Sequence, residues 1–319
     1  MPSRIIGTGS ALPKRVVTNF ELSKRLGVSE RQIQKRTGIL TRHWIEEGET
    51  TSTLAIEASK RALQMANLSA DAIDLIIVST TSPDMFFPST ACLVQKGLSA
   101  RAIPAFDLNA SCSGFLYALS VADQYLRTKS VEHVLVASAE VKSPFVNPKD
   151  PSTAFLFGDG AGAVVLSQGE RGIRSIRIYA DGSKHRLIYL PAGGSRLPTT
   201  ISSLQEGLNY IRMDGKALFR MAVKKLETAV LSLKKESSEI DLFVFHQANL
   251  RILEAVFKRQ NIASEKTHIT ISKYGNTSSS SLPIALDEVI REGRLKPGNQ
   301  LALCAFGGGL TWGTALLDW

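Results

Sequence analysis

Two rhythms of apolar and polar residues alternate along this chain. Short apolar runs read as strands buried by neighbours on both faces. Ile73-Asp74-Leu75 and Ile240-Asp241-Leu242 open two of them, His133-Val134-Leu135-Val136-Ala137 and Gln300-Leu301-Ala302-Leu303-Cys304 form two more, and a shorter one spans 102–108. Between the runs, apolar residues recur every three and four positions, predicting helices over 52–66, 114–128, 216–234, 248–260 and 281–292. Strands alternating with amphipathic helices predict an α/β fold with a covered sheet.

The pattern occurs twice. Ile73 and Ile240 open like strands 167 residues apart, and the runs at His133 and Gln300 keep the same spacing. Cys112 and Asn276, each opening a helix, stand 164 apart. Phe157-Gly158-Asp159-Gly160 and Phe306-Gly307-Gly308-Gly309 correspond at only 149, which predicts an extra loop in the first half at about 141–155. One long period implies two similar halves, 1–170 and 171–319, divided near Gly169-Glu170-Arg171-Gly172. A Pro/Gly/Ser-rich stretch at 184–212 also stands outside the repeat; long loops of this kind serve as lids, surface excursions or oligomer contacts.

Three strand-to-helix junctions carry chemistry-bearing residues. Cys112 lies in Asn109-Ala110-Ser111-Cys112-Ser113-Gly114, between a strand and the helix over 114–128. Free N–H groups at a helix start favour an anion, so the junction predicts a lowered thiol pKa and a nucleophilic Cys112. A lone cysteine is more often core, the reading that suits Cys92 and Cys304. His246 closes the strand of Ile240-Asp241-Leu242-Phe243-Val244-Phe245, and Asn276 opens the Ser-rich turn before 281–292. A Cys, a His and an Asn at equivalent strand ends point to one convergent site, where α/β folds collect reactive groups.

Composition narrows the classes. The chain has 319 residues and 44% hydrophobic content, ample for a large core. No apolar run is long enough for a membrane span, and the start resembles no signal peptide. Three scattered cysteines suit neither a disulfide framework nor a zinc site, so a cytoplasmic, reducing location is expected. A net charge of +9 predicts an anionic partner, yet no nucleic-acid-binding signature is present. Lys216, Arg220 and Lys224 share one helical face with Lys225 beside them, while Arg251 and Lys258 lie on another helix. An acidic protein or a polyphosphate-bearing substrate would suit that surface; so would plain solvation.

Taken in order, these motifs resemble the β-ketoacyl-acyl-carrier-protein synthase III family. The likeness runs nearly end to end: Ile6-Gly7-Thr8-Gly9-Ser10, Arg36-Thr37-Gly38-Ile39, the Cys112 block, Phe157 to Ala163, His246 to Arg251, Gly275-Asn276-Thr277-Ser278, and Phe306 to Gly309 with Thr311-Trp312-Gly313. It implies a thiolase-like fold of two βαβ-rich halves packed as αβαβα layers, usually a homodimer. The implied reaction is a decarboxylative condensation of an acyl-CoA primer with malonyl-acyl carrier protein, with no cofactor or metal. Cys112 would carry the acyl group, His246 and Asn276 would bind the malonyl carbonyl, and the N–H groups of Cys112 and Gly309 would form an oxyanion hole. Arg36, Gly215, Phe219, Ala248 and Asn249 match positions that contact coenzyme A or its pantetheine arm. Arg220, Lys224 and Arg251 would dock the carrier protein, and Phe87, Lys142 and Phe157 would line the acyl pocket, Phe87 from across the dimer.

Three departures stand out. Gln32 and Pro151 occupy places where the family carries an adenine-stacking Trp and Arg, which leaves open whether the acyl donor arrives on coenzyme A or on a carrier protein. Lys142 replaces an apolar pocket residue, so it must turn outward or meet an anion, such as a primer ending in a carboxylate. A specialised homologue using a dicarboxylic primer, or a non-decarboxylating acyltransferase, are the alternatives these residues raise.

Overall fold

A computed structural model describes residues 1–319. The first half runs β1 (Ser3–Ala11), β2 (Arg15–Thr18), α1 (Asn19–Leu26), α2 (Glu30–Thr37), β3 (Thr41–Trp44), α3 (Thr51–Ala66), β4 (Leu75–Ser79), α4 (Thr90–Gly97), β5 (Ala105–Leu108), α5 (Gly114–Arg127), β6 (His133–Glu140) and β7 (Gly160–Gln168). The second runs β8 (Ile173–Ala180), β9 (Ile188–Tyr189), α6 (Ile201–Gln205), β10 (Arg212–Met213), α7 (Gly215–Glu236), β11 (Leu242–Phe245), α8 (Leu250–Gln260), α9 (Ile271–Tyr274), α10 (Ser281–Arg291), β12 (Gln300–Gly307) and β13 (Thr311–Asp318).

Two mixed sheets organise these elements, in the orders β1-β7-β6-β4-β5 and β11-β12-β13-β8. β4 pairs in parallel with β5 and β6, as β11 does with β12, while the remaining neighbours are antiparallel. The 167-residue spacing superposes β4 on β11, α5 on α10 and β6 on β12. A single parallel bridge from Phe243 to Thr267 is all that stands where β5 would repeat.

The inner strands are apolar on both sides because each sheet is covered on both sides, whereas the edge strand β8 carries Arg174 and Arg177. Val134 and Val136 of β6 face α5 and α10, whose Leu116, Leu119, Leu282 and Leu286 fill the space between the sheets. Leu135 and Ala137 face the other way, against Leu54, Ala58 and Ala62 of α3. Val223, Leu226 and Val230 of α7 and Leu253 and Val256 of α8 cover Phe243, Phe245 and Ala302 on the far side of the second sheet. The result is five layers, helix, sheet, paired helices, sheet, helix, with α5 and α10 at the centre. Burying one leucine of these helices contributes roughly 2–3 kcal/mol.

The expected extra loop is present: the β6–β7 connection runs 141–159, whereas β12–β13 takes only 308–310. The 184–212 stretch is less irregular than its composition predicts. It holds α6 and the two-stranded pair β9–β10, with α6 opened by a Thr200 capping box.

Candidate active site

The central helices α5 and α10 begin at the same end of the molecule, and this brings the three junction residues together. Before each helix, one tight turn lifts a side chain into the space between the halves. Ser111–Ser113 precedes α5, and Ser278–Ser280 precedes α10. Each turn starts on a serine in the left-handed region, Ser111 at φ 52° and Ser278 at φ 54°. An asparagine two residues earlier holds each turn: Oδ1 of Asn109 accepts the Ser111 N–H at 3.2 Å, and Oδ1 of Asn276 accepts the Ser278 N–H at 2.8 Å. The counterpart of Asn276 is therefore Asn109, and Cys112 aligns with Ser279. The pairing of Cys112 with Asn276 expected from sequence was three residues out of register.

Cys112 is buried, its sulfur 3.4 Å from the Ser278 hydroxyl. Gly307 of β12 presses against it; a Cβ there would meet the Cys112 nitrogen at 2.6 Å. The neighbouring Gly308 donates its N–H to Ser111 Oγ at 3.2 Å, and Gly309, at φ 130°, lines the cavity beside the sulfur. Asn276 is fixed through its backbone as well, N–H to Leu156 O at 2.9 Å and O from Gly158 N–H at 3.0 Å. Since its Oδ1 is occupied, its Nδ2 is the donor available to a ligand. His246 follows β11, with its N–H on Cys304 O at 2.8 Å and Nδ1 at 2.6 Å from Ser281 Oγ. That oxygen also accepts the Gln247 N–H at 3.0 Å. With the Ser281 hydroxyl hydrogen directed at Nδ1, Nε2 carries the ring proton.

The electrostatics correct one expectation. Burial pushes the Cys112 thiol up rather than down, and Glu140 adds to this, while Ser278 and Lys142 pull the other way. Burial also pushes His246 down to about 4, against the opposing pull of Glu140. The resting pair is a thiol and a neutral imidazole, because desolvation outweighs the helix start when both groups lie inside the protein.

Cys112 stands where two cavities meet. One, of about 110 Å³, is a tunnel whose walls include His246, Asn276, Gly215, Phe219, Ala248 and Asn249. The other, of about 450 Å³, is lined by Lys142, Phe157, Gly309 and Ser278 among others. Four of the five proposed pantetheine contacts thus share one wall. Arg36 does not line it; it is exposed on α2, and its carbonyl accepts from Asn249 Nδ2 at 3.1 Å. Arg220, Lys224 and Arg251 are exposed, with the Arg251 guanidinium 5.6 Å over the Phe219 ring at the tunnel wall. Phe87 is 84% exposed and lines neither cavity of its own chain. A larger cavity of about 730 Å³, between β1 and the chain end, contains none of the candidate residues.

Two more departures acquire physical reasons. Lys142 is buried and meets an anion from its own chain: Nζ lies 2.9 Å from Glu140 Oε2 and also bonds the Thr81 hydroxyl. A primer carboxylate is not needed to neutralise it. Gln32 is committed to the α2 capping box, its Oε1 accepting the Ser29 N–H at 3.0 Å. Cys304 is buried among apolar residues as expected, whereas Cys92 has a polar neighbour, the Ser89 hydroxyl at 3.2 Å.

Sequence reasoning missed Glu140, Ser278 and Ser281. Glu140 is fully buried and accepts from Thr81, Ser82, Ser278 and Ser279 besides Lys142. Burial works to raise its pKa, but the Lys142 charge and these bonds hold the carboxyl below the usual range. The signal for it was an acidic residue closing an otherwise apolar strand. For the serines it was the unbroken run Ser278-Ser279-Ser280-Ser281 directly before an apolar helix.

Known proteins resemble this chain over nearly its whole length. The 3-oxoacyl-[acyl-carrier-protein (ACP)] synthase III family model matches residues 106–182, and the model of its C-terminal part matches 232–319. The chain is 44% identical to a β-ketoacyl-[acyl-carrier-protein] synthase III from Caldanaerobacter subterraneus subsp. tengcongensis, covering 99% of this chain and 97% of that one. It is 47% identical to the Xanthomonas campestris pv. campestris protein of that name, covering 99% and 98%. Among solved structures, the 3-oxoacyl-[acyl-carrier-protein] synthase III of Aquifex aeolicus VF5 superposes with a TM-score of 0.91 at 44% identity, covering 99% of this chain and all of that one. The chain therefore belongs to the 3-oxoacyl-[acyl-carrier-protein] synthase III family, condensing enzymes of fatty acid synthesis with a thiolase-like fold.

Proposed function

We propose that Cys112, His246 and Asn276 carry out the condensation by dividing it between the two cavities. The observation that supports this most strongly is the position of the Cys112 sulfur at their junction, with two fixed donors on the tunnel side. A primer thioester enters through the tunnel, and the sulfur attacks its carbonyl. The carbon–sulfur bond to the carrier thiol breaks, and that thiol leaves with the proton. The acyl chain now occupies the cavity of about 450 Å³, its carbonyl oxygen directed at the N–H groups of Cys112 and Gly309.

A malonyl thioester on acyl carrier protein then takes the tunnel. Its thioester carbonyl accepts from His246 Nε2 and Asn276 Nδ2. Loss of carbon dioxide leaves an enolate whose charge builds on that oxygen, where preorganised donors lower the barrier. Attack on the acyl-sulfur carbonyl forms the new carbon–carbon bond and returns the sulfur as a thiolate, which takes up a proton. A neutral imidazole suits this role because it donates without holding the malonyl carboxylate as a counter-ion. Every step is assigned to side chains and backbone, so the reading includes no cofactor or metal.

Arg36, Gly215, Phe219, Ala248 and Asn249 would hold the phosphopantetheine arm, and Arg220, Lys224 and Arg251 the acidic carrier protein. The same reading includes a homodimer, supported by exposed Phe86 and Phe87 and by β5 at a sheet edge. It also includes a cytoplasmic location, in keeping with three free thiols; no helix is long and apolar enough to cross a membrane. The test is a comparison of half-reactions. His246→Ala and Asn276→Ala should still load acyl groups onto Cys112 while losing condensation with malonyl-acyl carrier protein. Full condensation in both variants would overturn the assignment.

A further inference from the structure

Lys142 and Glu140 contribute opposite charges to the interior beneath the nucleophile. The Lys142 side chain is 10% exposed and that of Glu140 fully buried, and their 2.9 Å contact is the one ion pair Glu140 makes. The carboxylate does not face Lys142 alone. Its Oε1 accepts from Ser278 Oγ at 3.0 Å and Ser279 Oγ at 2.8 Å, and Ser278 Oγ in turn lies 3.4 Å from the Cys112 sulfur. Ammonium, carboxylate, hydroxyl and sulfur form a continuous chain across the end of β6, the loop behind it and the turn before α10.

A serine hydroxyl has one hydrogen. While Ser278 gives it to Glu140, its oxygen can only accept from Cys112, which keeps the sulfur protonated. For sulfur to become a thiolate, Ser278 must turn that hydrogen toward it and leave Glu140. The carboxylate tolerates this if its remaining partners satisfy it, and a buried carboxylate without a counter-ion would instead oppose a second negative charge nearby.

Resting on the reading of Cys112 as the nucleophile, we propose that Lys142 is a positioning residue that acts through Glu140 and Ser278: its ammonium cancels the buried carboxylate and releases the Ser278 hydroxyl to stabilise the thiolate. The other titratable groups facing this region are Asp159, buried and accepting the Lys142 backbone N–H at 2.6 Å, His246, beyond β11, and His185 and Tyr189 on the open side of the cavity. None of them touches the Glu140 carboxylate.

The test is the pH dependence of Cys112 alkylation by iodoacetamide, followed by intact-protein mass with Cys112→Ala as the site control. Lys142→Met should move the midpoint up by about one pH unit, and Glu140→Gln should move it down. The double variant should return near the wild-type midpoint, and Lys142→Arg should rescue the single one. If Lys142→Met does not fold, Lys142→Gln keeps a donor without the charge and serves instead. A pair that is merely structural would lower the melting temperature and leave the midpoints in place. Unmoved midpoints, or midpoints moving the same way in both single variants, would overturn the proposal. Alkylation needs neither primer nor malonyl thioester, so failure of the condensation mechanism would be separately visible.

Discussion

Ser111 and Ser278 hold the same left-handed backbone position, φ 52° and 54°, at the heads of the two central helices. Left-handed backbone is costly for branched side chains and free for glycine. The structure accepts it twice because each turn points a side chain inward at the head of a central helix whose first three residues are buried. Ser278→Val should therefore destabilise the protein by about 1–3 kcal/mol. Ser278→Gly relieves the backbone but forfeits the bond to Glu140, so its stability should stay within about 1 kcal/mol of wild type. Denaturant unfolding of both variants checks the difference.

The depressed His246 predicts the direction of acid destabilisation. Burial lowers its imidazole to about 4 in the fold, against an ordinary value of 6.5. Between these values the unfolded chain binds the extra proton, so stability rises with pH across that window. The contribution is complete above about pH 6.5 and lost as pH falls toward about 4, on the order of 3 kcal/mol in all. Glu140, with its lowered pKa, adds a loss of the same sign at the acid end. Melting temperature against pH should slope less steeply in His246→Asn than in wild type.

Gly307 offers a steric test of nucleophile placement. A Cβ at that position would sit 2.6 Å from the Cys112 nitrogen and 3.0 Å from its Cβ. Gly307→Ala must push the nucleophile aside, and a displacement near 1 Å costs about 100-fold in rate. Single-turnover acylation should fall by about that factor while circular dichroism still reports a folded chain.

Charge reversal on the exposed faces of α7 and α8 should separate carrier-protein docking from chemistry. Arg220→Glu with Arg251→Glu should raise KM for malonyl-acyl carrier protein about tenfold and weaken its salt dependence. Turnover of malonyl-pantetheine, which lacks the protein, should be unaffected.

Much of this was legible in the residues because local pattern and burial coincide. β4, β6, β11 and β12 are apolar along most of their length since helices cover both faces of each, and α5 and α10 show helical spacing since they fill the space between the sheets. The 167-residue period was legible for the same reason. What local pattern could not show was the register of the two turns, where small polar residues carry no apolar phase, and Cys112 was matched to Asn276 instead of Ser279. Nor could it show the Lys142–Glu140 pair, which arises where the chain leaves β6 and folds back under the nucleophile. The direction of the Cys112 shift was misjudged because the helix start is visible in sequence, whereas desolvation by β12 and the Ser278 turn is not.

The most direct test of the central claim is intact-protein mass after brief exposure to acetyl-CoA and then malonyl-acyl carrier protein, with Cys112→Ala alongside. The account predicts one acetyl group added to wild type and none to the variant, followed by its loss as 3-oxobutanoyl-acyl carrier protein forms. Acetylation that persists in Cys112→Ala, or condensation without a covalent acyl-enzyme, would contradict it.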